Sequence, residues 1–354
     1  MLAALILASS LSAGSPASVN APSNTSTESA KASAPAKVSS AAASAPKAST
    51  ANTSPTKSSA AKPSAPKAKA AKALEPPFDS LRAYRYLKEQ CAFGPRVAES
   101  EAHRKALEYF LAHFRGLGLQ VTEQPFTHTD MANGAKVPMT NVIVTVPGRE
   151  AGRKPIMLCA HWDSRPRADQ EKSEMLAASP ILGANDGASG IAVLMELANG
   201  MKAKPPAQTV YLALFDGEDY GKEGSLDEYF LGARYFADNP TVNGLDYALL
   251  LDMVGDRDLH LPIEQNSLKQ SPALVEKIWM RARELGIAQF EPRPGPAVWD
   301  DHMPLQAKGI PAVDVIDFDY APWHTLGDTP DKCSAGSLGA VGRLAGSLAY
   351  RGLD

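Results

Sequence analysis

Four motifs place histidine or carboxylate side chains directly after strongly apolar runs: Cys159-Ala-His161-Trp-Asp163-Ser-Arg, Gly183-Ala-Asn-Asp186-Gly-Ala-Ser-Gly, Phe215-Asp-Gly-Glu218-Asp219-Tyr-Gly and Pro322-Trp323-His324-Thr. Imidazole nitrogens and carboxylate oxygens are the ligands zinc takes, and a catalytic zinc keeps three protein ligands and an open position. Asp186, Asp219 and His324 are the candidate ligands. Small residues on both sides of Asp186 let a turn bring its carboxylate against an ion, although Asn-Asp-Gly also suits an ordinary turn and helix cap. The neighbours Glu218 and Asp219 repel unless a cation stands between them or one keeps its proton. That pair suggests a division of labour, with one acid on the metal and the other serving as general acid or base.

His161 and Asp163 bracket Trp162 and suit a ligand or an orienting pair, and Asp252 follows the apolar Leu249-Leu-Leu in the same way. Asp300-Asp301-His302 forms a further acidic group before the run starting at Ile310. A buried acid that closes a hydrogen-bond network is the plain alternative for any one of these. Of the seven histidines, His103, His113, His128 and His260 fall outside the motifs and read as surface or structural, which leaves His161, His302 and His324. There is no Gly-x-Ser-x-Gly elbow, P-loop, dinucleotide fingerprint or zinc-finger spacing.

These residues need elements to position them. Leu107, Phe110, Leu111 and Phe114 repeat at helical spacing within residues 99–118. Short apolar or β-branched runs at 119–122, 141–146, 155–160, 209–215, 247–251 and 310–316 read as strands, and 187–201, 271–285 and 334–351 carry helical periodicity. The alternation predicts an α/β fold with a mostly parallel central sheet and helices on both faces. Ligands of such sheets gather beyond the carboxyl ends of the strands, where the motifs fall.

The chain has 354 residues and a formal net charge of −3, enough for a sizeable core once a long tail is set aside. Residues 1–14 are rich in Leu and Ala, like the apolar core of an export signal, although no basic residue precedes them. They are too short for a membrane span of about 20 residues. Residues 15–73 are nearly all Ala, Ser, Pro, Lys and Thr, a composition that cannot offset ordering entropy and reads as a disordered linker. Residues 74–354 then form one catalytic domain. The basic residues of the linker lack interleaved aromatics, which argues against nucleic-acid binding. Three cysteines leave at least one thiol free; in an exported protein Cys91 and Cys333 are the two that would pair.

From about Phe78 onward the chain resembles the M28 zinc peptidase superfamily, and within it the bacterial glutaminyl cyclases (glutaminyl-peptide cyclotransferases). The resemblance rests on the motifs above together with Cys91-Ala-Phe-Gly-Pro-Arg96 and Asp300-Asp301-His302-Met-Pro. It implies Asp186, Asp219 and His324 as zinc ligands, Glu218 as the acid/base residue, Asp252 and Asp301 in a hydrogen-bond network with Glu218, and Trp323 lining the substrate pocket. It implies one zinc ion and, as substrate, a peptide or protein N-terminus whose Gln is cyclised to pyroglutamate with loss of ammonia. In the superfamily's aminopeptidases, residues matching His161 and Asp252 bind a second zinc, with the Asp186 carboxylate bridging. Trp323 and the doubled acid favour the cyclase, whereas Asp219, where animal cyclases have Glu, is shared with some peptidases. Export to the periplasm or the medium, with the linker as an envelope tether, completes the expectation.

Overall fold

The central strands are apolar at nearly every position, and successive side chains point to opposite faces, so each strand buries one row of residues on each face of a sheet. The computed structural model describes residues 78–353. Its elements in order are α1 (Ser80–Cys91), α2 (Glu101–Gly116), β1 (Gln120–Thr129), β2 (Lys136–Val146), β3 (Ile156–His161), α3 (Glu174–Ala177), α4 (Ala188–Ala203), β4 (Val210–Phe215), α5 (Leu231–Asp238), β5 (Ala248–Asp252), β6 (Leu261–Ile263), α6 (Gln265–Gln270), α7 (Pro272–Glu284), β7 (Phe290–Pro294), α8 (His302–Ala307), β8 (Ala312–Ile316) and α9 (Ala335–Arg351).

Six strands form one sheet in the order β1-β2-β4-β3-β5-β8. β4, β3, β5 and β8 run parallel, while β2 pairs antiparallel with both β1 and β4. Ile156, Leu158 and Ala160 of β3 pack into the larger core with α1, α2, α4, α7 and α9, and Met157 and Cys159 pack into the core beneath α5 and α8. The sheet is therefore covered on both faces, as its apolar strands require.

Local chemistry sets the helix starts. The Asp79 carboxylate accepts from the Arg82 amide at the head of α1, and Ser100 Oγ accepts from the His103 amide at the head of α2. Glu101 opens α2 and Arg115 closes it, matching the helix dipole.

Four features depart from the sequence reading. The edge hairpin is longer than the runs at 119–122 and 141–146 suggest; Pro125 and Pro138 interrupt the pattern but are accommodated in β1 and β2 at the sheet margin. Helix α1 was not among the expected helices, although Ala83, Tyr86, Leu87, Gln90 and Cys91 repeat at helical spacing on its buried face, and β6 and β7 form a small parallel pair of their own. Cys91, Cys159 and Cys333 are separate buried thiols rather than containing a bridged pair, with Cys91 and Cys333 both packed in the larger core. Burial pushes the Cys91 thiol up to about 11. Among the described residues no helix is long and apolar enough to cross a membrane. The expectations for residues 1–14 and for the linker lie outside the described residues.

Candidate metal centre

The parallel strands deliver their C-terminal residues to one place. His161 ends β3 and Asp252 ends β5, Glu218 and Asp219 follow β4, and Asp186 sits in the turn that opens α4. His324 arrives on the segment after β8. Asp186, Asp219 and His324 bring ligand atoms within 4.8 Å of one another, and so do His161, Asp186 and Asp252. The two triads share Asp186. Its Oδ2 lies 3.6 Å from His324 Nε2, while its Oδ1 lies 3.1 Å from His161 Nε2. His324 Nε2 is 3.4 Å from Asp219 Oδ1, and His161 Nε2 is 3.2 Å from Asp252 Oδ1.

Cross-ties between loops hold this geometry. Asp163 spreads its carboxylate across the Glu218 and Asp219 amides, accepting at 3.1 and 3.2 Å. Arg165 donates to Asp219 Oδ1 at 2.5 Å, to both Asp169 oxygens and to the Tyr229 hydroxyl. Asp169 in turn lies 3.4 Å from His324 Nδ1, which leaves the imidazole's Nε2 facing Asp186 and Asp219. The Arg96 guanidinium donates to the carbonyls of Trp162, Leu182 and Gly183. Gly187, just after Asp186, has φ +99°, and a Cβ there would sit 2.3 Å from the Asp163 carbonyl oxygen. Three non-glycine residues of the centre also adopt left-handed backbone: Phe230, whose amide donates to the Glu218 carbonyl; Met253, beside Asp252; and His324 itself. Strain of this kind persists where the surroundings over-determine it, and it clusters at functional sites.

Burial and neighbouring charge separate the acids. Burial first, and the Asp219 charge next, raise Glu218 well above the ordinary carboxyl range. Burial also acts on Asp219, but Arg165 and His324 outweigh it and hold that carboxylate below its usual range. Burial and then the Asp219 charge bring Asp186 up to about 6. His324 is lowered by burial, yet the Asp219 charge and the contact with Asp169 carry it up to about 9. His161 is likewise lifted well above its ordinary value against burial, by Asp163, Asp186 and Asp252. Asp219 Oδ2 and His161 Nδ1 are buried with no hydrogen-bond partner. An unpaired, ionised carboxylate oxygen deep in a site is costly unless a cation meets it, so the residues fit a metal ion.

Asp252 and Asp301, the acids expected in a hydrogen-bond network with Glu218, are both buried but make no hydrogen bond to it: Asp252 pairs with His161, and Asp301 stands beside Asp300. Asp301 caps α8 with neither carboxyl oxygen receiving a donor, and Asp300 accepts from the Asp301 amide. Burial first raises both well above the usual range, and both act on the Glu218 charge. His302 forms a further buried group with Asp300 and Asp314, their ligand atoms within 4.8 Å of one another, and it lies 3.4 Å from Glu264 and 3.9 Å from Asp314. Trp323 stacks on the His324 ring, with centroids 3.8 Å apart, and meets Phe318 at 5.0 Å. Sequence reasoning gave no role to Arg96, Arg165, Asp169 or Asp328. The two arginines stand inside motifs it had marked, and Asp328 follows His324 by four residues.

Comparison with known proteins agrees with this geometry. A model of peptidase family M28 matches residues 141–349. A solved zinc-dependent exopeptidase of Parabacteroides distasonis is 33% identical, with a TM-score of 0.74 over 78% of this chain and 99% of its own. The solved glutaminyl cyclase of Bacteroides thetaiotaomicron is 32% identical, with a TM-score of 0.73 over 78% of this chain and 99% of its own. The mouse glutaminyl-peptide cyclotransferase-like protein is 26% identical over 255 residues, which is 64% of this chain and 63% of that one. The chain thus spans less than two thirds of that curated relative's length. The family match covers most of the described residues, including every candidate metal ligand and Glu218, and the chain belongs to peptidase family M28.

Proposed function

We propose that the protein is a glutaminyl-peptide cyclotransferase that converts the N-terminal Gln of peptides to pyroglutamate and releases ammonia. The observation that carries this reading is the Trp323 indole stacked on His324. It sets an aromatic wall against the ligand triad, suited to the two methylenes of a Gln side chain. Solved glutaminyl cyclases alike over nearly their full length support the reading.

Asp186, Asp219 and His324 would hold a zinc ion, which supplies Lewis-acid polarisation of the Gln side-chain amide. Trp323 holds the side chain folded back, so that the α-amine meets its own amide carbon as a near-attack conformer. Glu218 takes a proton from the attacking amine and delivers it to the departing nitrogen as the C–N bond to ammonia breaks. Burial and the Asp219 charge raise the proton affinity of Glu218, which favours its uptake of the amine proton. The charges of Asp300 and Asp301 add to that rise, and Glu218 is a carboxylate again once the ammonia has left.

A second reading, a di-zinc aminopeptidase, is favoured by the convergence of His161 and Asp252 on Asp186. The two activities separate by product. Incubation of the zinc-loaded protein with a Gln-initiated peptide yields a pyroglutamyl peptide and ammonia under the cyclase reading; free N-terminal amino acids from unblocked peptides, without pyroglutamate, refute it.

A further inference from the structure

We infer that Asp328 is a positioning residue that sets the metal affinity of the centre, by tying the turn that carries Asp186 to the segment that carries His324. Asp328 is fully buried, four residues beyond His324. Its Oδ1 accepts from the Asn185 amide at 2.8 Å, and its Oδ2 accepts from the Asp186 amide at 3.1 Å. The Tyr320 hydroxyl donates to Oδ1 at 2.7 Å from the other side of His324. Tyr320 is in turn joined to Trp323, whose amide donates to the Tyr320 carbonyl. One carboxylate therefore gathers the backbone of one ligand and both flanks of another, across 142 positions of sequence.

The same turn is gripped from its opposite polarity. Arg96 donates to the carbonyls of Leu182 and Gly183, while Asp328 receives the amides of Asn185 and Asp186. The turn hangs between a buried cation and a buried anion, with its amides and carbonyls divided between them. Charge-assisted hydrogen bonds of this type are stiff as well as strong. They fix the backbone from which the Asp186 carboxylate reaches His324, and a ligand pair held in place before the ion arrives binds it more tightly. Partners behind ligands commonly change metal affinity by about 10- to 100-fold when removed. Asp328 contacts neither the Asp219 nor the His161 side chain by hydrogen bond, so its action runs through the backbone of Asp186. The inference is independent of which reaction the centre runs.

The test compares the full chain with Asp328→Asn and Tyr320→Phe. Each is stripped of metal, and zinc affinity is measured by competition with a chelator, with no substrate present. Asp328→Asn turns an amide donor toward a backbone amide and is expected to weaken zinc binding by about 10- to 100-fold. Tyr320→Phe removes one donor of three and is expected to weaken it in the same direction by less. The melting temperature of the metal-free proteins separates this from a purely structural role: a fall there, with zinc affinity of both variants within about twofold of the unaltered protein, overturns the inference. Should Asp328→Asn fail to fold, Tyr320→Phe decides alone, weaker zinc binding supporting the inference and unchanged binding overturning it. Failure of the cyclase assay would leave this outcome untouched, since no turnover is read.

Discussion

His161 Nε2 lies 3.2 Å from Asp252 Oδ1, two side chains at the ends of the neighbouring strands β3 and β5. With the imidazole protonated the pair is a direct hydrogen bond, and Asp252 is occupied. With a second ion between them the same atoms become ligands, alongside Asp186 Oδ1. The raised basicity of His161 favours the first state in the metal-free protein. The pair thus sits at the point where cyclase and peptidase readings divide.

Replacing Glu218 with Gln keeps the shape of the side chain but removes the proton carrier. Zinc is expected to remain bound while kcat falls by about 10²- to 10⁴-fold. Steady-state rates and metal content measured on one sample check this; an undiminished rate would remove Glu218 from the mechanism.

Arg165 and Asp219 are both almost fully buried. Arg165→Met leaves the Asp219 charge without its partner, and loss of one member of a buried pair costs about 3–5 kcal/mol. Denaturant unfolding of the metal-free protein is expected to show a loss of that order. A change under about 1 kcal/mol, as for an exposed pair, would mean that the contact is not maintained in solution.

Gly187 is required by geometry rather than by flexibility. A Cβ at φ +99° would strike the Asp163 carbonyl and press toward the His161 ring. Gly187→Ala is expected to destabilise the fold by more than the ~1 kcal/mol typical of an average substitution and to lower zinc content as well. Thermal melts with metal analysis test both parts.

In the metal-free protein His324 holds its proton up to about pH 9, against an unfolded value near 6.5. A raised folded value stabilises fully below about pH 6.5, and that contribution is lost as pH climbs through about 9. Zinc needs the neutral imidazole, so its affinity is expected to rise over the same interval, with proton release on binding. Melting curves of the stripped protein and calorimetry in buffers of different ionisation enthalpy read the two trends. A zinc affinity that is flat from pH 6.5 to 9 would contradict the ligand role of His324.

Much of this was legible because strands with apolar side chains on both faces leave a strong signal, and because acids stationed after such runs have little reason to be there except chemistry. The parallel strands β3, β4, β5 and β8 and the convergence of Asp186, Asp219 and His324 followed from that pattern. Helix α1 was missed although its buried face repeats at helical spacing, and the edge hairpin was obscured by Pro125 and Pro138. The partners of the ligands were also hidden. Arg165 on Asp219, Asp169 on His324 and Asp328 on the Asp186 backbone are contacts between distant segments, which local sequence patterns do not encode. His302 stays grouped with Asp300, as its sequence position suggests, but Asp314 and Glu264 join it from distant segments.

Titration of the metal-free protein with zinc, following both pyroglutamate formation from a Gln-initiated peptide and amino-acid release from unblocked peptides, tests the central claim most directly. Cyclisation that reaches its plateau at about one zinc per chain, with no amino acids released, is the predicted result. Amino-acid release that requires about two zincs per chain, without pyroglutamate, would contradict it and make His161 and Asp252 metal ligands.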